Sequence, residues 1–125
     1  MAKQQFGAHR SIVSKTAAYT ILRGESGTFF DNTGAGGSVE LALPLDHQAG
    51  DWFRVRRVAA QSIFVAPGAG NTITCADASG AYGAQTADKH VILDAVGDDV
   101  EVTSDGNNNW NLTNHSDGGD ITVES

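Results

Sequence analysis

A chain of 125 residues with 40% hydrophobic residues and one cysteine is long enough for a single domain with its own core, and it cannot owe its fold to an intrachain disulfide. Its net charge of −7 is unevenly divided: residues 1–60 hold seven Lys/Arg against five Asp/Glu, whereas residues 61–125 hold only Lys89 against ten. The acidic second half argues against nucleic-acid binding, which depends on a basic surface, and no apolar run reaches the roughly 18 to 20 residues of a membrane span.

Residues 1–15 show neither strand alternation nor a helical stripe and are read as an extended N-terminal arm ahead of one domain over residues 16–125. They lack the apolar core of a signal peptide, which points to synthesis in a cytosol. Two readings of the arm stay open. It is a frayed terminus, or it docks on a neighbour through the apolar Phe6, Ile12 and Val13 set among Lys3, Arg10 and Lys15.

From Ala17 onward, short strand candidates follow one another at 18–23, 27–32, 38–43, 52–58, 62–66, 71–75, 89–95, 99–103, 109–113 and 120–124. Between them lie stretches rich in Gly, Asp, Asn and Ser, residues that accept positive φ or form Asx turns. The stretch Thr33 to Pro44 is the clearest case: a Gly-rich turn feeds Val39, Leu41 and Leu43, which alternate with Ser38, Glu40 and Ala42. The spacing predicts a half-buried strand closed by Pro44, with Thr28 to Phe30 as its antiparallel partner.

Alternation places Phe53, Val55, Ile63, Val65, Ile73, Val91, Leu93, Val100, Val102, Trp110, Leu112, Ile121 and Val123 in the core. The fold expected is all-β, an antiparallel β-sandwich or jelly roll.

The strand Trp52 to Val58 concentrates basic charge. Period-two geometry puts Arg54 and Arg56 opposite Phe53 and Val55 and beside Trp52, with Arg57 near the strand end. This stripe is either a solvated outer face or a subunit contact, in which Arg and Trp would meet acidic residues of the later half.

Chemistry-bearing constellations are sparse. The histidines His9, His47, His90 and His115 have no metal-ligand spacing, and Cys75 has no identifiable base. Asp105, Asn107 and Asn109 begin like a calcium loop, but Trp110 stands where Gly is needed and Ser116 where an acidic residue is needed, so a polar hairpin turn is the reading. Asp98, Asp99 and Glu101 form a denser acidic group that leaves calcium open. Gly34, Gly36 and Gly37 lack the G-K-[ST] of a phosphate loop. No catalytic residue, metal ligand or cofactor is assigned, and no enzyme activity is expected.

The order of pieces, Ala18-Tyr-Thr-Ile21, Gly27-Thr-Phe-Phe-Asp-Asn-Thr-Gly-Ala35, Val39-Glu-Leu-Ala-Leu-Pro44, Gly50-Asp-Trp-Phe-Arg-Val55, Ile63-Phe-Val65, Gly70-Asn-Thr-Ile73 and a late Trp110, resembles a recurring β-domain of tailed-phage virion structural proteins. That domain is found in capsid decoration (cement) proteins and in pieces of tail fibres. The resemblance spans roughly Ala17 to Asn114. It implies a non-enzymatic module, usually a homotrimer, which stabilises the phage head by binding between subunits of the major capsid protein. The arm residues Phe6, Arg10, Ile12 and Val13 are then the capsid contacts, and Trp52, Arg54, Arg56 and Arg57 the subunit interface. The alternative it leaves is a tail-fibre or receptor- or glycan-binding module, for which Trp52, Tyr82 and Trp110 are the aromatics to consider.

Overall fold

The computed structural model describes residues 11–76, 82–85, 87–116 and 121–123. Within them the chain is all-β and sandwich-like, with one short 3-10 turn at Arg23–Glu25. Twelve strands follow in order: β1 Ile12–Ser14, β2 Tyr19–Thr20, β3 Phe29–Asp31, β4 Val39–Ala42, β5 Trp52–Arg56, β6 Ile63–Ala66, β7 Thr72–Ala76, β8 Tyr82–Ala84, β9 Val91–Leu93, β10 Asp99–Ser104, β11 Asn109–Asn114 and β12 Thr122–Val123. They form a five-stranded sheet in the order β12-β9-β6-β4-β2 and a seven-stranded sheet in the order β1-β3-β5-β10-β11-β7-β8.

Both sheets are mixed, which corrects the expected antiparallel pairing. From β1 to β6 the chain changes sheet at every step, so each strand reaches its sheet neighbour after an excursion through the other layer and runs in the same direction. The pairs β1–β3, β3–β5, β2–β4 and β4–β6 are accordingly parallel. Antiparallel pairing enters later, as in the β10–β11 hairpin and its union with β5.

The glycine-rich stretch before Val39 therefore does not fold β3 back onto β4. It carries the chain from one sheet to the other, a crossing of about 10 Å that a tight hairpin cannot make. Asn32 fixes its start. That fully buried side chain accepts hydrogen bonds at Oδ1 from the backbone of Val58 (2.8 Å) and Ala59 (2.9 Å) and donates through Nδ2 to the Gln61 carbonyl (2.8 Å).

Ile12–Ser14 also departs from expectation, because it joins the sheet as edge strand β1. Pairing is continued on both sides by Phe29 N–H to Ser11 O (2.8 Å) and Lys15 N–H to Asp31 O (2.9 Å). Three residues are too few to show a period, and what holds them is the free edge of β3.

One core lies between the layers. Phe30, Phe53, Val55, Val100, Val102 and Trp110 from the larger sheet pack with Leu41, Ile63, Val65, Val91 and Leu93 from the smaller one. Rings run through it in sequence: Tyr19 to Phe30 at 6.1 Å between centroids, Phe30 to Phe53 at 6.3 Å, Phe53 to Trp110 at 5.8 Å and Trp110 to His47 at 4.5 Å. Tilted pairs at such distances add to the burial of the rings themselves.

Candidate functional site

Among the described residues, the outward side of the seven-stranded sheet brings together charged and aromatic side chains. Register aligns Ile12 with Phe29, Phe29 with Arg54 and Arg54 with Glu101 in one row, and Ser14, Asp31, Arg56 and Asp99 in the next. At its centre is the Asp99 carboxylate, 4% exposed although it faces outward.

Two arginines cover it. Arg54 donates from Nε to Oδ1 and from Nη2 to Oδ2, both at 2.8 Å, and Arg56 donates to Oδ2 from Nε at 3.1 Å and Nη2 at 2.8 Å. Both guanidinium groups also lie over the Phe29 ring, at 5.4 and 5.0 Å from its centroid. The backbone of Asp99 is held as well, its N–H by Ser116 Oγ at 2.8 Å and its carbonyl by the His115 N–H at 2.7 Å.

Burial pushes the Asp99 carboxyl up, but the hydrogen bonds from Arg54 and Arg56 and their charges outweigh it, leaving the carboxyl below its ordinary range. The hydrogen bond to Asp99 likewise raises the Arg54 guanidinium, against its own desolvation. The basic stripe thus meets an acidic residue of the later half within one chain. The two arginines share that one carboxylate, and both lie over the Phe29 ring.

Trp52 is half-buried at the start of the same strand, where its backbone accepts from the Gly27 N–H (2.7 Å) and its own N–H donates to Ser26 Oγ (3.0 Å). Arg57 is only 8% exposed. Its guanidinium bonds to the carbonyls of Ala59 (3.1 Å) and Ala60 (2.5 Å), which makes it a clamp on the turn after β5. Ile12 is 69% exposed beside Phe29, and Val13 points inward against the core. Phe6 and Arg10 lie outside the described residues.

The acidic group of β10 is divided among separate partners. Asp98 accepts from the Ala95 N–H at 3.0 Å, Asp99 takes the arginines, and Glu101 faces His115 at 3.6 Å. Among the described residues there is no group of three or more His, Cys, Asp or Glu able to hold a metal ion. Residues 105–108 form the turn of the β10–β11 hairpin, with Asp105 Oδ1 accepting from the Asn107 N–H at 2.8 Å. Cys75 is buried. Trp110 is fully buried and so unavailable to a ligand, and the Tyr82 side chain lies outside the described part of the structure.

His47 was not singled out by any spacing, yet the fold draws it in. It stacks on Trp110, its Nδ1 is hydrogen-bonded to the buried Ser104 hydroxyl, and Ser104 Oγ also accepts from the Gly106 N–H at 3.0 Å. Burial pushes the imidazole below its ordinary value, and the nearby Asp105, Asp51 and Asp46 only partly counter this. The folded state therefore favours neutral His47. Stability is full above the unfolded-state value of about 6.5 and is lost as pH falls from there through the lower folded value. Melting temperature is expected to fall between about pH 7.5 and about pH 5 in the wild type, and to fall less in His47→Gln across the same window. Equal pH dependence in the two would show that His47 is not the group responsible.

Comparison of the sequence with protein-family models and with curated proteins finds no match.

Proposed function

We propose that this chain is a structural protein of a tailed-phage virion, a capsid decoration (cement) protein that acts as a homotrimer on the head surface and binds the major capsid protein. The observation that supports the reading is that one residue expected in the arm, Ile12, lies on the same outward surface as Arg54 and Arg56. The exposed Ile12 sits in register with Phe29, and Phe29 lies under Arg54 and Arg56. An aliphatic and an aromatic side chain bordered by arginines is the composition of a protein–protein contact centre. Because Asp99 already orders both arginines, less side-chain freedom remains to be lost on docking. In this reading the residues ahead of β1, of which 1–10 lie outside the described residues, contact the capsid, and three such segments in one trimer would multiply a weak individual contact.

The test is co-sedimentation of the purified chain with undecorated capsids assembled from the major capsid protein of the same phage. Wild-type protein is expected to bind. Ile12→Asp, which places a charge at the exposed centre of the contact while leaving the core untouched, is expected to bind roughly tenfold more weakly or worse, a loss of about 1.4 kcal/mol or more. Failure of the wild type to bind would overturn the decoration reading, and undiminished binding by Ile12→Asp would remove this face from it.

A further inference from the structure

The loop from β4 to β5 is closed onto the core by one side chain. Between Leu45 and Asp51 only His47 is buried; Leu45, Asp46, Gln48, Ala49 and Gly50 are exposed, and Asp51 is half-buried. Ahead of this span the chain is anchored by the buried Leu43 and Pro44, with the Leu43 N–H donating to the Ala66 carbonyl at 2.8 Å. Behind it, the turn 48–51 is held by contacts of its own. Gly50 N–H donates to Ser104 O (3.0 Å), Ser104 N–H donates to Asp51 O (2.8 Å), and the Asp51 carboxylate accepts from the Gln48 N–H (2.9 Å) and from Arg23 Nε (2.8 Å). Residues 45–47 thus run between two fixed points and are pinned by an imidazole.

What the imidazole covers is the Trp110 ring, 4.5 Å away between centroids, whose own Nε1–H is buried without a hydrogen-bond partner among the described residues. Ser104 faces it from β10 through the Nδ1 hydrogen bond, Asp105 from the β10–β11 turn, and Asp46 and Asp51 from its own loop. Arg23, the basic residue that reaches this loop, is taken up by Asp51 and Gln48. Asp46 and Asp105 are exposed, so carboxylates wait on the solvent side of a ring whose other side is aromatic.

We propose that residues 45–47 form an acid-operated latch: gaining a proton moves the His47 ring off Trp110 and out toward Asp46, Asp51 and Asp105, while both sheets stay folded. In the closed form a charged ring loses hydration, and that loss outweighs the pull of the three carboxylates. The Trp110 face also attracts a cation, a gain that likewise falls short of the hydration lost. Outside, the same ring is hydrated and still has the carboxylates beside it. Protonation therefore favours the open form, by at most about tenfold for each pH unit below the ordinary imidazole value of about 6.5. The movement is local, because neither the Leu43 anchor nor the pairing of Gly50 and Asp51 with Ser104 uses the imidazole. Trp110 is then uncovered while the core is intact, and this end of the sandwich presents an aromatic ring in mild acid and a polar cover at neutral pH. The latch stands apart from the capsid reading, whose Ile12 and Phe29 lie on β1 and β3 at one edge of the sheet.

The experiment is hydrogen exchange by nuclear magnetic resonance on the isotope-labelled full chain at two values, about pH 7.5 and about pH 5. It is read at the Trp110 indole N–H and at the backbone amides of the central strands β5 and β10. Each rate is divided by that of an unstructured peptide at the same pH, so the intrinsic effect of acid cancels. Indole protection is expected to fall about fivefold or more, up to about thirtyfold for one proton taken up near about 6.5, while the strand amides keep theirs. His47→Gln and His47→Phe, neither of which can take up that proton, are expected to change by less than about twofold. A smaller fall in the wild type, an equal fall in the variants, or strand protection lost in step with the indole would overturn the latch.

Discussion

Trp110→Ala is expected to lower stability by about 3 to 5 kcal/mol, the range for truncating a large buried aromatic side chain. Trp110 is fully buried on β11, where its ring meets both Phe53 and His47. Its loss opens a cavity between β5 and the 43–51 loop and removes the surface on which His47 stacks. Trp110→Phe provides the informative contrast. The indole Nε1–H is buried without a hydrogen-bond partner among the described residues. Deleting it removes a penalty of about 1 to 3 kcal/mol, which offsets part of the volume lost. Urea unfolding is expected to show Trp110→Phe costing less than half as much as Trp110→Ala. A cost for Trp110→Phe above half that of Trp110→Ala would mean that the buried N–H carries no such penalty.

Asp99→Ala is expected to cost about 2 to 3 kcal/mol. It leaves Arg54, whose side chain is 23% exposed, without the carboxylate that receives its two hydrogen bonds, and it frees Arg56 above Phe29. The expected loss falls below that of a fully buried ion pair because the Arg56 side chain is 46% exposed and water can replace part of what Asp99 supplied. Asp99→Asn keeps the shape and removes the charge, so it should lose most of the same stability. The pH dependence follows in sign. A carboxyl held below its unfolded value contributes stability above that value of about 3.9 and loses it as pH falls through the folded value. Acid unfolding should therefore be less steep in Asp99→Asn than in the wild type. If urea midpoints of both variants match the wild type, the Arg54–Asp99–Arg56 group contributes nothing to the fold.

The sequence carried the composition of the layers further than their connection. Alternation in 38–43, 52–58 and 99–103 corresponds to β4, β5 and β10, and the inward residues Val39, Leu41, Phe53, Val55, Val100 and Val102 are all buried. Period two reports which side of a strand is buried, and it is silent on which sheet a strand enters. That is why the Gly34–Gly37 stretch suggested a hairpin where the chain crosses between layers. β1 and β8, at three residues each, are too short to show alternation.

The site was legible in part. Arg54, Arg56 and Trp52 followed from the strand pattern, but Asp99 lies 45 residues beyond Arg54 and no spacing connects them. Arg57 broke from the stripe because the strand ends at Arg56, and the turn beyond it turns the guanidinium toward the Ala59 and Ala60 carbonyls. His47 gave no signal, since its burial depends on a loop folding over Trp110.

The most direct test of the account is cryo-electron microscopy of undecorated capsids incubated with the purified chain. The account predicts added density on the outer surface of the shell, grouped in threes, with the β1–β3–β5 edge of the seven-stranded sheet and the residues ahead of Ile12 against the major capsid protein. Shells left bare, or density seated through the five-stranded sheet with Ile12 and Phe29 facing solvent, would contradict it.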